Sequence, residues 1–304
     1  MICVSVLDSP FQCRCAKSIG IQFDEEYDFS SNSLVLSCLK VFVMTAAVRA
    51  RGLDILVLGD LRSWCQILAA YLWSPVKLTI VDDGMFSLAL FEALESGAIT
   101  NSKAKNLILK SIIGNYQKKN RLKFHTVFGE SISAVEARKS GYDIRALTIQ
   151  ADITLDVEVD RSTVLFIGQD LVELDIISSK EYLLTLERIA LEAETSQAQL
   201  IYYPHRAESV DNLELISSHI SNCRVAKREL PIEDYLVLMT KRPLRVYTFY
   251  STAIFIISRL FPNIKCHVIY LEHTFKTHIA TIEAAYSMLS NDKGIIVETF
   301  NLND

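Results

Sequence analysis

Short β-branched runs that end in a polar or glycine turn, each followed by a helical pattern, recur along this chain from its first residues to its last. Residues 1–7 read as a buried strand, 8–12 as a turn and 11–19 as a helix. Strands follow at 54–58, at 76–84, where the run empties into Asp82-Asp83-Gly84, and at 124–128. Helices at 34–51, 61–73 and 86–95 lie between them, and Ser31, Asn32 and Ser33 are all available to cap the first of these. The second half repeats the alternation, with strands at 163–167, 199–203, 223–226, 245–250, 265–270 and 294–299. Its helices fall at 179–195, at 232–239, from Ser251-Thr252 to 260, and at 278–289. Ser178 with Glu181 three residues on reads as a capping box. Such alternation demands parallel sheets covered by helices. The 304 residues suit two units of ordinary size. Residues 142–161 lack a clear period, so the junction is expected near 155: one Rossmann-like α/β domain over 1–155, a second over 156–304, and a cleft between them.

Composition removes several classes of function. A net charge of −5 offers no global positive field for nucleic acid. Seven cysteines are an odd set lying mostly in apolar runs, as expected of reduced thiols in a cytoplasmic protein. Asp8 and Pro10 interrupt the N-terminus too early for a signal peptide. The longest apolar block, 34–48, is broken by Lys40 and is short for a bilayer span, so a buried helix is expected there. From 101 to 123 the sequence holds Lys103, Lys105, Lys110, Lys118, Lys119, Arg121 and Lys123 with no acid among them. Two readings stay open: a solvated helix face, or a patch that meets an anionic inner-membrane surface or glycan. No Gly-x-Gly-x-x-Gly and no Gly-Lys-Ser/Thr is present, which argues against nicotinamide, flavin and phosphate-loop sites. The six histidines belong to no ligand cluster, and no metal is expected.

Chemistry-bearing residues fall at strand ends. Asp82 and Asp83 could serve as a general base, as magnesium ligands, as a phosphoacceptor pocket or simply as a solvated turn. His205, between Pro204 and Arg206, could donate to a phosphate oxygen or protonate a leaving group. Ser251 and Thr252 cap a helix whose N-terminus also suits a phosphate. Glu233 could bind ribose hydroxyls or answer the helix dipole as a first-turn acid.

The order Asp-Asp-Gly, Pro-His, Pro-Ile-Glu, Ser-Thr resembles the bacterial sialyltransferases, whose families share an Asp/Glu-Asp/Glu-Gly, a His-Pro and a Ser/Thr motif in that order. Ser9-Pro-Phe-Gln12 and Phe166-Ile-Gly168-Gln169 are similar to segments of the lipooligosaccharide sialyltransferases of glycosyltransferase family 52 and the related polysialyltransferases. One departure is that Arg206 stands where those families usually carry proline after the histidine. The resemblance implies a GT-B-like fold and a cytoplasmic inverting sialyltransferase, without metal or other cofactor. The expected reaction moves sialic acid from CMP-sialic acid to a hydroxyl of a capsule or lipooligosaccharide glycan. The first domain would hold the acceptor, with Asp83 or Asp82 as base. The second would bind the donor through His205, Ser251, Thr252, Glu233, Gly168, Gln169, Pro204 and Arg206. Two alternatives remain: a transferase of another CMP-nonulosonic acid, or a non-catalytic nucleotide-binding assembly protein of the same fold.

Overall fold

The computed structural model describes residues 1–28, 33–82, 84, 87, 90–91, 93–94, 99–100, 102–129, 132–148, 157–272 and 274–301. The chain divides into two compact units, Met1–Gln150 and Ala151–Asp304. The expected junction at 155 lies outside the described residues, as do most of the helix expected at 86–95 and the candidate caps Ser31 and Asn32. Each unit is a Rossmann-like β/α unit built on a six-stranded parallel sheet, and the fold is of the GT-B type.

In the first unit, β1 (Cys3–Leu7), β2 (Glu25–Asp28), β3 (Ile55–Leu58), β4 (Lys77–Val81), β5 (Leu122–Thr126) and β6 (Ile144–Ala146) stand in the order β2-β1-β3-β4-β5-β6. All five residues of β1 and all four of β3 are buried, as in strands covered by helices on both faces. The edge strand β2 shows only half-buried and exposed positions. Helix α1 (Pro10–Ser18) starts where Ser9 Oγ accepts from Gln12 N at 3.2 Å, with Pro10 pre-set for the first turn. Helix α2 (Leu34–Arg51) is capped by Ser33, and α3 (Trp64–Trp73), α4 (Lys103–Lys118) and α5 (Ile132–Lys139) complete the unit as described.

The structure corrects the expectation that residues 34–48 form a buried helix. Only Ser37, Val41 and Val48 of α2 are buried, and Val35, Leu39, Phe42 and Val43 stand in solvent. The reason is geometric. An apolar sequence sets no preferred stripe, and α3, with Trp73 Nε1 donating to Val41 O at 3.3 Å, covers one side.

In the second unit, β7 (Glu158–Ile167), β8 (Gln199–Tyr203), β9 (Cys223–Val225), β10 (Lys241–Thr248), β11 (Lys265–Leu271) and β12 (Ile295–Phe300) run in the order β12-β11-β10-β7-β8-β9. Strand β10 starts before the expected 245 because a register shift between Pro243 and Arg245 admits a proline inside a paired strand. Helix α6 (Ser179–Thr195) has its full capping box and buries Tyr182, Leu186, Ile189 and Ala193 at helical spacing. Helices α7 (Val210–His219), α8 (Ile232–Leu238), α9 (Thr252–Leu260) and α10 (Ile279–Ser290) follow. Beneath the carboxyl ends of β7 and β8 lies an aromatic cluster. Phe166 stacks on Tyr202 at 5.7 Å, and Tyr182 meets Phe249 at 5.2 Å. Such pairs add about 0.5–1.5 kcal/mol each beyond area burial and give the strand ends a rigid floor. All seven cysteines are free thiols.

Candidate active site

In the second unit, β10, β7 and β8 are adjacent and parallel, so their carboxyl ends share one edge. The chain reverses its direction of growth between β7 and β10, the place where open α/β sheets bind ligands. Gly168-Gln169, Pro204-His205 and Ser251-Thr252 all follow these three ends. Gln169 bridges two of them. Its Nε2 donates to Tyr250 O at 3.0 Å, and its Oε1 accepts from Thr248 Oγ1 at 3.1 Å.

The His205 loop is closed by Glu208. Glu208 N donates to His205 O at 3.3 Å, and His205 N donates back to the Glu208 carboxylate. Tyr202 OH donates to the same carboxylate, Asn212 Nδ2 approaches it at 3.4 Å, and Tyr182 OH lies 2.7 Å from Tyr202 OH. Gln169 N in turn donates to Tyr182 OH at 3.1 Å, so one relay links the ends of β7 and β8. These contacts explain Gly168. A Cβ there would sit 2.4 Å from Glu208 Oε2 and 2.5 Å from Tyr202 OH. Burial, partly offset by the Tyr202 and His205 hydrogen bonds, pushes the Glu208 carboxyl up to about 7. Burial also lowers the His205 pKa, opposed by Asp170, whose Oδ1 is 3.4 Å from Nδ1. Nδ1 thus lies 3.4 Å from both Asp170 Oδ1, which can only accept, and Ala207 N, which donates. The side chain is 39% exposed, so the ring can meet a ligand.

Around this loop, Pro204 is buried and Arg206 is exposed, and the Arg206 charge helps to lower the His205 pKa. Ser251 caps α9, accepting from Ala253 N at 3.2 Å. Thr252 opens the helix and is half-buried. Glu233 is buried in the first turn of α8, beside the Tyr203–Tyr235 ring pair, which is spaced at 4.7 Å. Its charge helps to raise the Tyr203 pKa, after burial as the main cause.

In the first unit, Asp82 follows β4 and is buried. Its Oδ2 accepts from Val127 N at 2.5 Å and so ties the ends of β4 and β5 together. Asp83 lies outside the described residues. Gly84 adopts φ +68°, a left-handed turn that glycine takes without strain. Asp82, Ser87, His125 and Thr126 line a cavity of about 10 Å³, room for one water molecule. The point where this sheet reverses lies elsewhere, between β1 and β3, and amide side chains fill it. Gln66 Oε1 accepts from Gly59 N at 2.7 Å and Asp60 N at 2.8 Å, while its Nε2 donates to Asp8 Oδ2 at 2.8 Å. Asp8 N donates to Gln12 Oε1 at 2.8 Å. The Ser9-Pro-Phe-Gln12 segment is thus part of a buried network.

Sequence reasoning missed Glu208, Asp170, Tyr182 and Tyr202 as site residues, and Asp8 and Gln66 in the first unit. Glu208 was within reach, because an acid three residues after a strand-end histidine can close the turn. The tyrosines read as core residues and carry no local signal. Among the described residues, no three His, Cys, Asp or Glu side chains are grouped to hold a metal ion. No helix among them is long and apolar enough to cross a membrane.

A search of curated proteins returned no match. Solved structures similar to this chain include the MurG of Acinetobacter baumannii, at 10% identity and TM-score 0.45 over 98% of this chain and 85% of that one. Another is a protein assigned as a UDP-N-acetylglucosamine 2-epimerase of Listeria monocytogenes, at 13% identity and TM-score 0.47 over 96% and 88%. The family model of the alpha-2,8-polysialyltransferases (POLYST) matches residues 73–270, a span from the end of α3 through β11 that takes in the acidic turn and every strand end of the second-unit site. That span exceeds half of the chain, and the chain belongs to the alpha-2,8-polysialyltransferase family.

Proposed function

We propose that this protein is an inverting sialyltransferase that moves sialic acid from CMP-sialic acid to a hydroxyl of a bacterial surface glycan. Family membership supports nucleotide-sugar-dependent glycosyl transfer in general. The observation that carries the finer reading is the convergence of Gly168-Gln169, His205 and the capped N-terminus of α9 at the β7–β10 reversal.

The residue types suit the chemistry. The bond between the anomeric carbon and the phosphate oxygen of CMP breaks as the acceptor oxygen bonds to that carbon, and the phosphate leaves with the electron pair. His205 Nε2–H, the hydroxyls of Ser251 and Thr252 and the α9 dipole answer the charge that builds on the phosphate. Glu233 hydrogen-bonds ribose, Gly168 and Gln169 shape the floor, Pro204 sets the exit of β8, and Arg206 adds a second cation. Asp83 or Asp82 takes the acceptor proton. The first unit then serves the acceptor and the second the donor. Transfer takes place in the cytoplasm, with the cations of 103–123 facing an anionic partner, membrane or glycan.

Purified protein incubated with CMP-sialic acid and candidate glycans should release CMP in step with sialylated product. Inactivity on every CMP-nonulosonate overturns the reading in favour of a binding protein. Full transfer by both Asp82→Ala and Asp83→Ala removes the base assignment alone.

A further inference from the structure

We propose that Asp170 is the positioning residue of His205, fixing the ring at the edge of the second sheet and favouring its charged form for the leaving phosphate. The inference rests on the reading of this edge as the donor site. Asp170 follows β7 and His205 follows β8, neighbouring parallel strands. Asp170 Oδ1 lies 3.4 Å from His205 Nδ1, and among the described residues no other side chain pairs with that carboxylate. The turn that carries Asp170 is itself held. Asp170 O accepts from Leu174 N at 3.0 Å, and Glu173 accepts from Ser209 N at 2.8 Å and from Ser209 Oγ at 3.1 Å. One segment after β7 therefore meets the His205 loop twice, at the ring through Asp170 and at the start of α7 through Glu173. Glu208 holds the same loop by its backbone, at His205 N.

The ring nitrogen between these groups has two partners with opposite demands. Ala207 N donates, which needs a bare Nδ1, whereas Asp170 accepts, which needs Nδ1–H. A neutral ring with its proton on Nε2 suits Ala207. The imidazolium suits Asp170 and keeps a second N–H on Nε2. An anionic phosphate arriving at Nε2 draws a proton from solvent onto the ring, and Asp170 then stabilises that charge from behind, as the orienting acid of a hydrogen-bonded triad does. The proton returns to solvent when CMP departs. The other charges make this help necessary. Burial lowers the His205 pKa, and the Arg206 and Arg228 cations lower it further. Asp170 opposes them most strongly, with Glu173 behind it.

Nuclear magnetic resonance of full-length protein carrying isotope-labelled histidine follows the ring without substrate, the His205 signal being assigned by its loss in His205→Ala. In Asp170→Asn that signal should titrate at lower pH than in wild type, with circular dichroism and thermal unfolding unchanged. Calorimetry should show CMP bound about three- to tenfold more weakly by Asp170→Asn at about pH 7, and the difference should narrow toward about pH 5, where the ring is charged in both proteins. Asp170→Glu, which keeps the negative charge, should recover part of the loss. An unmoved His205 titration in Asp170→Asn overturns the proposal. So does a CMP deficit of the same size at every pH, which marks a merely structural role. Wild type that binds no CMP defeats the donor-site reading instead, and the histidine titration still decides whether Asp170 governs the ring.

Discussion

In the sheet of the second unit the chain reverses between β7 and β10, and the strand ends there present a half-exposed imidazole and a helix N-terminus. In the sheet of the first unit it reverses between β1 and β3, and the ends there are closed by Gln12 and Gln66. The topological rule that points to a ligand crevice is met twice in one chain and leaves an accessible donor once. The difference lies in where the hydrogen bonds go. Gln66 spends its amide on backbone N–H groups and on Asp8 inside the protein. In the second unit, Glu208 and Tyr202 secure the backbone and hold the loop, while the His205 side chain stays partly exposed. In the proposed reaction the first unit acts one strand further along, through the aspartates that follow β4.

The largest effect that can break this comparison is catalytic. His205→Ala should lower kcat/KM by about 10²–10⁴, as should whichever of Asp82→Asn and Asp83→Asn removes the base, measured by coupled CMP release. A His205→Ala enzyme of wild-type rate would leave the second-unit site without its donor.

Next is the pH dependence of stability. Glu208 has its pKa raised from 4.5 to about 7, so the native state holds that proton more tightly than the unfolded chain. The contribution, up to about 3 kcal/mol, is full below about pH 4.5 and is lost as pH rises through about 7. Denaturant titrations of Glu208→Gln should show that slope flattened, and a steeper one would contradict the burial of this carboxyl.

Two glycine substitutions sharpen the contrast between the sheets. Gly168→Ala forces its Cβ against Tyr202, a buried ring that cannot yield, at about 2 kcal/mol or more. Gly59→Ala meets the Gln12 side chain at 2.1 Å, which can swing away at the loss of its hydrogen bond from Asp8 N, about 1 kcal/mol. Thermal unfolding should rank them in that order. The smallest effect is Ser251→Ala, about 1 kcal/mol from the lost α9 cap, with a further loss in donor affinity if Ser251 also touches phosphate.

Much of the scaffold was legible from local chemistry. The Ser178–Glu181 capping box and the bounds of β8 need only neighbouring residues, and the structure has both where the sequence puts them. What escaped depends on partners far along the chain. Strand β2 is Glu-Glu-Tyr-Asp and exists because β1 offers it an edge, with Val4 opposite Glu25. Helix α2 has an unmistakable helical composition but does not say which side is inward, since almost every side is apolar. In the site, His205 and Ser251 carry their own signals, whereas the role of Gly168 appears only once Tyr202 and Glu208 are seen to occupy the space a side chain would need.

Calorimetric titration of CMP into the full-length protein tests the division of labour most directly, because it needs neither acceptor nor turnover. The account predicts that wild type binds CMP, that Asp82→Ala binds it equally well, and that His205→Ala binds it about tenfold or more weakly, as expected for a lost charge-assisted hydrogen bond to phosphate. CMP binding that survives His205→Ala and disappears in Asp82→Ala would place the nucleotide in the first unit and contradict the account.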